Sequence, residues 1–170
     1  MFFSQLTLAT CFGTRCLHAC IWHQVSRNIS LLAPGRSVEG GNLPIDELMG
    51  VKAVDSIDLS ERGLGTMSAI IISACIAGNQ HLRKLELSVN ELGNKGAKAL
   101  ASVIRDSPSL TSINLEWNKL GPEGAKALAP ALRDSASLTR VDVRYNALGM
   151  QDKDVLRKAV EGRSGFELLL

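Results

Sequence analysis

The stretch Leu82-Arg83-Lys84-Leu85-Glu86-Leu87-Ser88-Val89-Asn90-Glu91-Leu92-Gly93 returns 28 residues later as Leu110-Thr111-Ser112-Ile113-Asn114-Leu115-Glu116-Trp117-Asn118-Lys119-Leu120-Gly121. After another 28 residues it returns as Leu138-Thr139-Arg140-Val141-Asp142-Val143-Arg144-Tyr145-Asn146-Ala147-Leu148-Gly149. The apolar positions, the asparagine and the glycine keep their places while the residues between them change. Leu85 and Leu87, then Ile113 and Leu115, then Val141 and Val143 alternate with polar residues, the pattern of a short strand with one face in a core and the other in solvent. Gly96-Ala97-Lys98-Ala99-Leu100-Ala101 likewise recurs as Gly124-Ala125-Lys126-Ala127-Leu128-Ala129. Ala97, Leu100, Val103 and Ile104, then Ala125, Leu128, Ala131 and Leu132, fall at helical spacing, so each unit reads as a strand followed by an amphipathic helix. A unit this short cannot bury its apolar face alone and must stack on its neighbours.

The frame L-x-x-L-x-L-x-x-N-x-L resembles the leucine-rich repeat, and the long alanine-rich half resembles its ribonuclease-inhibitor-like subfamily, with similarity to short repeat proteins of protists and algae. That resemblance implies an α/β fold: a short right-handed β-α superhelical solenoid, with parallel strands on the concave face and helices on the convex face. It also implies that Asn90, Asn118 and Asn146 form a ladder, each side chain bonding main-chain groups in the turn after its strand.

Outward from the regular units the frame weakens at both ends. Residues 54–81 form a first repeat in the same register, with Val54, Ile57, Leu59, Leu64 and Gly65 on the framework and Arg62 where the asparagine should stand. Ile70, Ile71, Ile72 and Ile76 make its helix apolar on nearly every side, so part of its outer face is expected to be covered. Repeats then occupy 82–109, 110–137 and 138–161. Residues 39–53 read as linker and N-terminal cap, the cap being a short helix begun by Pro44 with Asp46 and Glu47 in its first turn. Residues 162–170 read as a C-terminal cap tail in which Phe166-Glu167-Leu168-Leu169-Leu170 folds back over the last strand.

Composition bounds the function. The 170 residues hold 19 Lys and Arg against 17 Asp and Glu. Residues 1–38 contain Arg15, Arg27 and Arg36 and no acid, so the repeat body is close to neutral. It lacks the basic stripe that phosphate backbones require, and nucleic acid is not expected as a partner. Of the four cysteines, Cys11, Cys16 and Cys20 lie in the leader and only Cys75, a core position, in the repeats. That distribution fits an intracellular, reducing compartment, the cytoplasm first and an organelle as the alternative. Cys11, Cys16, Cys20 and His23 match no common zinc spacing, so no metal is expected. The leader itself is consistent with a disordered segment, a transit peptide, a secretory signal or anchor, or a folded extension. Arg15 and His18 interrupt Leu6 to Trp22, which falls short of the ~20 clean residues of a membrane span.

No catalytic constellation is legible. His18 and His23 sit in the leader and His81 in a return turn, and Gly63-Leu64-Gly65 is repeat framework with no phosphate-loop lysine after it. No cofactor is expected. Function should therefore lie in the exposed strand positions, which form columns across the repeats. Ser56, Lys84, Ser112 and Arg140 make the first; Asp58, Glu86, Asn114 and Asp142 the second; Ser60, Ser88, Glu116 and Arg144 the third. The fourth, Glu61, Val89, Trp117 and Tyr145, is the informative one. Trp and Tyr are the usual anchors of protein interfaces, although the two rings could equally stack to cover the strand edge. Candidate partner-binding residues are thus Val89, Trp117, Tyr145, Glu86, Asn114, Asp142, Glu116 and Arg144, on a non-catalytic protein-interaction module. Ran GTPase-activating proteins and the sensor ends of nucleotide-binding immune receptors have similar repeats, which implies enzyme regulation as the alternative. The patch spans only a few hundred Å², well under the ~800 Å² per partner of a standard interface, so a partner must also use loops or an end.

Overall fold

The computed structural model describes residues 43–170. The readings of the leader, including the cysteine and His23 set and the transit peptide, therefore lie outside the described residues. Along the chain come α1 (Ile45–Leu48), β1 (Ser56–Asp58), α2 (Thr66–Ile76), β2 (Lys84–Glu86) and α3 (Gly93–Asp106). These are followed by β3 (Ser112–Asn114), α4 (Gly121–Asp134), β4 (Arg140–Asp142), α5 (Met150–Ala159) and β5 (Glu167–Leu169). The strands form one sheet of five in chain order, all parallel. Ile57, Leu85, Ile113 and Val141 stand side by side across it, the register demanded by the 28-residue recurrence.

One apolar layer lies between the sheet and the helices. Leu59, Leu87, Leu115 and Val143 come from the strand side of successive units and Ile72, Leu100, Leu128 and Leu156 from the helix side, and all are buried. Cys75 joins them at the position of Val103 and Ala131, and burial pushes its thiol up from its ordinary value. The small residues at the helix starts set the distance between neighbouring helices. A Cβ on Gly96 would lie 3.0 Å from the Ala69 Cβ of α2, and one on Gly124 would lie 3.2 Å from the Ala97 Cβ of α3. Any larger side chain there would push successive units apart, which is why the Gly-Ala pair recurs with the leucines.

Helix α2, the first of the repeat helices, differs from its successors on the outside. Met67 and Ile70 of α2 are exposed where α3 has Lys95 and Lys98 and α4 has Glu123 and Lys126. Among the described residues the covering expected for this face is limited to the half-burial of Ile71. Cap helix α1 forms where the proline and acids place it, and inserts the fully buried Leu48 under the first repeat.

The tail departs from expectation. Glu167–Leu169 does not fold back over β4 but pairs beside it as a fifth parallel strand, with Leu168 opposite Val141 and Leu169 opposite Asp142. Its backbone continues the ladder, the Glu167 N–H donating to the Thr139 carbonyl at 2.8 Å and the Val143 N–H to the Leu169 carbonyl at 2.9 Å. An edge of unpaired N–H and C=O groups is costly to leave bare next to a core, and pairing satisfies one side of β4 outright. Arg163 fixes the approach: its guanidinium donates to the Leu132 and Leu138 carbonyls and lies 4.5 Å from the Phe166 ring centroid.

Candidate functional site

The asparagine ladder determines where the exposed columns point. The Asn146 Nδ2 group donates to the carbonyls of Leu115 (2.7 Å), Val143 (3.0 Å) and Arg144 (3.1 Å). Its Oδ1 accepts from the N–H groups of Asn118 (2.8 Å) and Leu120 (3.3 Å) in the unit before. Asn90 does the same one turn earlier, accepting from Arg62 and Leu64 and donating to Leu59, Leu87 and Ser88. Asn118 accepts from Leu92 and donates to Leu87 and Glu116. Each side chain therefore reaches backwards. The first repeat has no earlier repeat to reach, so Arg62 can replace the asparagine there.

Just before each ladder position the chain turns through the left-handed region. Glu61, Val89, Trp117 and Tyr145, the whole fourth column, have φ between 54° and 56°. For a side chain with a Cβ this costs ~1–2 kcal/mol, and a β-branched residue such as Val89 is a rare occupant. Glycine or asparagine would sit there more cheaply, yet the column carries bulk, and that bulk is exposed: Val89 to 47%, Trp117 to 54% and Tyr145 to 61%. Trp117 and Tyr145 stack, with ring centroids 4.8 Å apart and planes inclined by 17°. Stacking and exposure thus coexist. The pair covers part of itself and still presents a large apolar surface to solvent.

The second column has a structural job as well. The side chains of Asp58, Asn114 and Asp142 each accept the backbone N–H two residues on, from Ser60 (2.9 Å), Glu116 (3.0 Å) and Arg144 (3.1 Å), and so hold the chain as it leaves the strand. Glu86 is too long for that turn and instead pairs with Lys84 at 2.9 Å. Asp142, expected in solvent, is only 4% exposed. Two features bury it: strand β5 pairs alongside, and Arg144 folds over it, its Nη2 lying 2.7 Å from one carboxylate oxygen. Hydrogen bonding to that carboxylate raises the pKa of the Arg144 guanidinium above its ordinary value, and Glu116 adds a second acid at 3.6 Å. Glu116, Asp142 and Arg144 are therefore brought together as one network beside the aromatic pair.

Two residues outside the columns complete the scaffold. Asn79 is buried, donates to the Glu47 and Leu48 carbonyls of the cap (3.0 Å each), and accepts from the His81 and Leu82 N–H groups. Later units have Ser107 and Ser135 at this place, and these hold only their own return turns. The change from serine to asparagine, visible in the sequence, was the signal for this role, and Arg163 offered none of that kind. Among the described residues no helix is long and apolar enough to cross a membrane.

The sequence model described as leucine-rich repeat matches residues 78–101 and 106–129. No curated protein matches the chain. Among solved structures, the fold is similar to leiomodin-1 actin-binding site 2, with a TM-score of 0.66 at 16% identity over 74% of this chain and 76% of that one. It is similar to the tropomodulin C-terminal domain of Caenorhabditis elegans, with a TM-score of 0.65 at 20% identity over 74% of this chain and 79% of that one. By fold the chain is an α/β solenoid of parallel strands and helices, in which residues 78–101 and 106–129 match the leucine-rich repeat.

Proposed function

We propose that this protein is a non-catalytic protein-interaction module of the ribonuclease-inhibitor-like type, and that its partner docks on the open face of the sheet against Trp117 and Tyr145. The observation that carries the reading is the fourth column: two stacked aromatic rings held in a costly backbone conformation and left more than half exposed. Local strain that persists at a surface points to a use outside folding. Large, stiff aromatic side chains give contact area at little entropic cost, which is why they dominate interface energetics. The strand-plus-helix unit, with helices of 14 residues in α3 and α4, supports the subfamily assignment. The leiomodin-1 structure is an actin-binding site, so this fold serves protein binding in at least that case. No feature of the face favours the GTPase-activator or immune-sensor reading over this one.

The test is capture of partners by the wild-type protein, followed by binding measurements with the recovered, purified partner. Trp117→Ala/Tyr145→Ala is expected to weaken binding by about tenfold or more, as for an anchor worth ≥ ~1.4 kcal/mol. The helix-side control Lys98→Glu is expected to bind normally. Equal binding by the wild type and the double variant would refute the assignment.

A further inference from the structure

The chemistry of the partner follows from the hydrogen-bonding groups of the aromatic pair, on the footing of the binding surface proposed above. Trp117 carries an indole N–H and Tyr145 a phenol O–H, and among the described residues neither group has a hydrogen-bond partner. The main chain around Trp117 is already engaged. Its N–H donates to the Arg144 carbonyl at 3.1 Å and its carbonyl accepts from the Asn90 N–H at 3.2 Å. The Glu116 carbonyl accepts from the Val89 N–H at 2.9 Å and from the Asn118 side chain at 3.0 Å. The carboxylates of Asp142 and Glu116 are turned to Arg144, whose Nη2 lies 2.7 Å and 3.6 Å from them. The pair is thus an uncharged, flat apolar surface with side-chain donors in excess.

That balance selects among peptide shapes. Addition of a partner strand needs a row of free N–H and C=O groups, which the paired backbone at Trp117 lacks. An ordinary extended segment laid on the rings would bring an N–H at every residue to a place richer in donors than in acceptors. Proline has no N–H, and a polyproline II helix makes no internal hydrogen bonds, so its carbonyls stay free to accept. Its rings are apolar and its backbone is stiff before binding, so little entropy is lost on an aromatic platform. The ring centroids of the pair lie 4.8 Å apart. At a rise of ~3.1 Å per residue, about two or three consecutive residues cross the pair, a contact that does not need the area of a standard interface. We infer that the partner presents a proline-rich segment in the polyproline II conformation, with proline rings on the Trp117–Tyr145 stack and main-chain carbonyls accepting from the Trp117 Nε1–H and the Tyr145 hydroxyl.

The probe is a capped peptide of about nine prolines, compared with a capped peptide of the same length that repeats leucine, serine and glycine and so keeps apolar side chains and every N–H. Both are titrated against the full chain in nitrogen–proton correlation spectra. The chain has two tryptophans, and the indole signal lost in Trp117→Phe is that of Trp117. The proline peptide is expected to shift this signal saturably, and the leucine peptide to leave it in place over the same range. Trp117→Phe and Tyr145→Phe each keep a ring and remove one donor, and each is expected to weaken the proline peptide about fivefold, the scale of one hydrogen bond; backbone amide shifts report binding to Trp117→Phe. No shift with the proline peptide, equal binding of the leucine peptide, or unchanged affinity in both variants would overturn the inference. Failure here is separable from failure of the surface: a purified partner that binds the wild type but not Trp117→Ala/Tyr145→Ala, beside a proline peptide that does not bind, leaves the surface standing and removes only this ligand class.

Discussion

The backbone N–H of Asn118 donates to the side-chain oxygen of Asn146 at 2.8 Å, so one ladder asparagine holds the backbone of the other across a full turn of the solenoid. Both side chains are buried, and among the described residues no buried side-chain polar atom lacks a partner. The ladder is therefore where successive units are joined by direction as well as by apolar contact. Asn146→Ala would leave two N–H groups and three carbonyls without this partner, and is expected to cost about 2–4 kcal/mol by urea unfolding. Asn146→Asp should be no better, because it turns an oxygen towards three carbonyl oxygens.

The cap offers a more local test. Asn79→Ser keeps an acceptor for the return turn, as Ser107 and Ser135 show, but cannot reach the Glu47 and Leu48 carbonyls. Its expected cost is about 1–2 kcal/mol. Hydrogen exchange should quicken at Leu48 and Met49, whose amides close α1, and stay unchanged in α4.

Backbone strain in the fourth column makes a prediction of opposite sign. Val89→Gly removes an exposed side chain from φ 54° and is expected to stabilise the fold by about 0.5–1 kcal/mol, the relief of left-handed strain exceeding the added entropy of the unfolded chain. The same substitution should weaken partner binding. A higher urea midpoint together with weaker binding would identify the valine as a residue kept for contact.

The Asp58 carboxyl gives a pH dependence. Its pKa is lowered in the folded state, first by the Ser60 N–H, so its contribution is present above the ordinary carboxylate range and is lost as pH falls below about 4 through the folded value. Because the group is exposed the effect is small. Carbon-detected titration should place the Asp58 carboxyl below the ordinary aspartate value, and Asp58→Asn should flatten the acid limb of stability by lowering the neutral plateau slightly.

Much of this was legible from the spacing alone. A leucine every 28 residues with an alternating pair behind it fixes strand, register and inward face together, because a slip of one residue would put Leu85 or Ile113 in water. Trp117 and Tyr145 were identifiable for the same reason, once the inward positions were assigned. Strand β5 was hidden because Gly165 stands where Leu138 leads its unit and the step from Val141 to Leu168 is 27 instead of 28. The burial of Asp142 was hidden in turn, since it depends on that strand and on the fold of Arg144, neither of which a column of exposed positions can express. Arg163 holds carbonyls 31 and 25 residues away, a contact set by three-dimensional closure with no trace in local pattern.

The claim that decides the rest is that Trp117 and Tyr145 are surplus to folding. Equilibrium urea unfolding of Trp117→Ala/Tyr145→Ala measures it directly. A loss below about 1.5 kcal/mol, the worth of a solvent-facing aromatic stack, is the predicted result. A loss of about 3 kcal/mol or more, the scale of core truncation, would make the pair part of the fold and contradict the account.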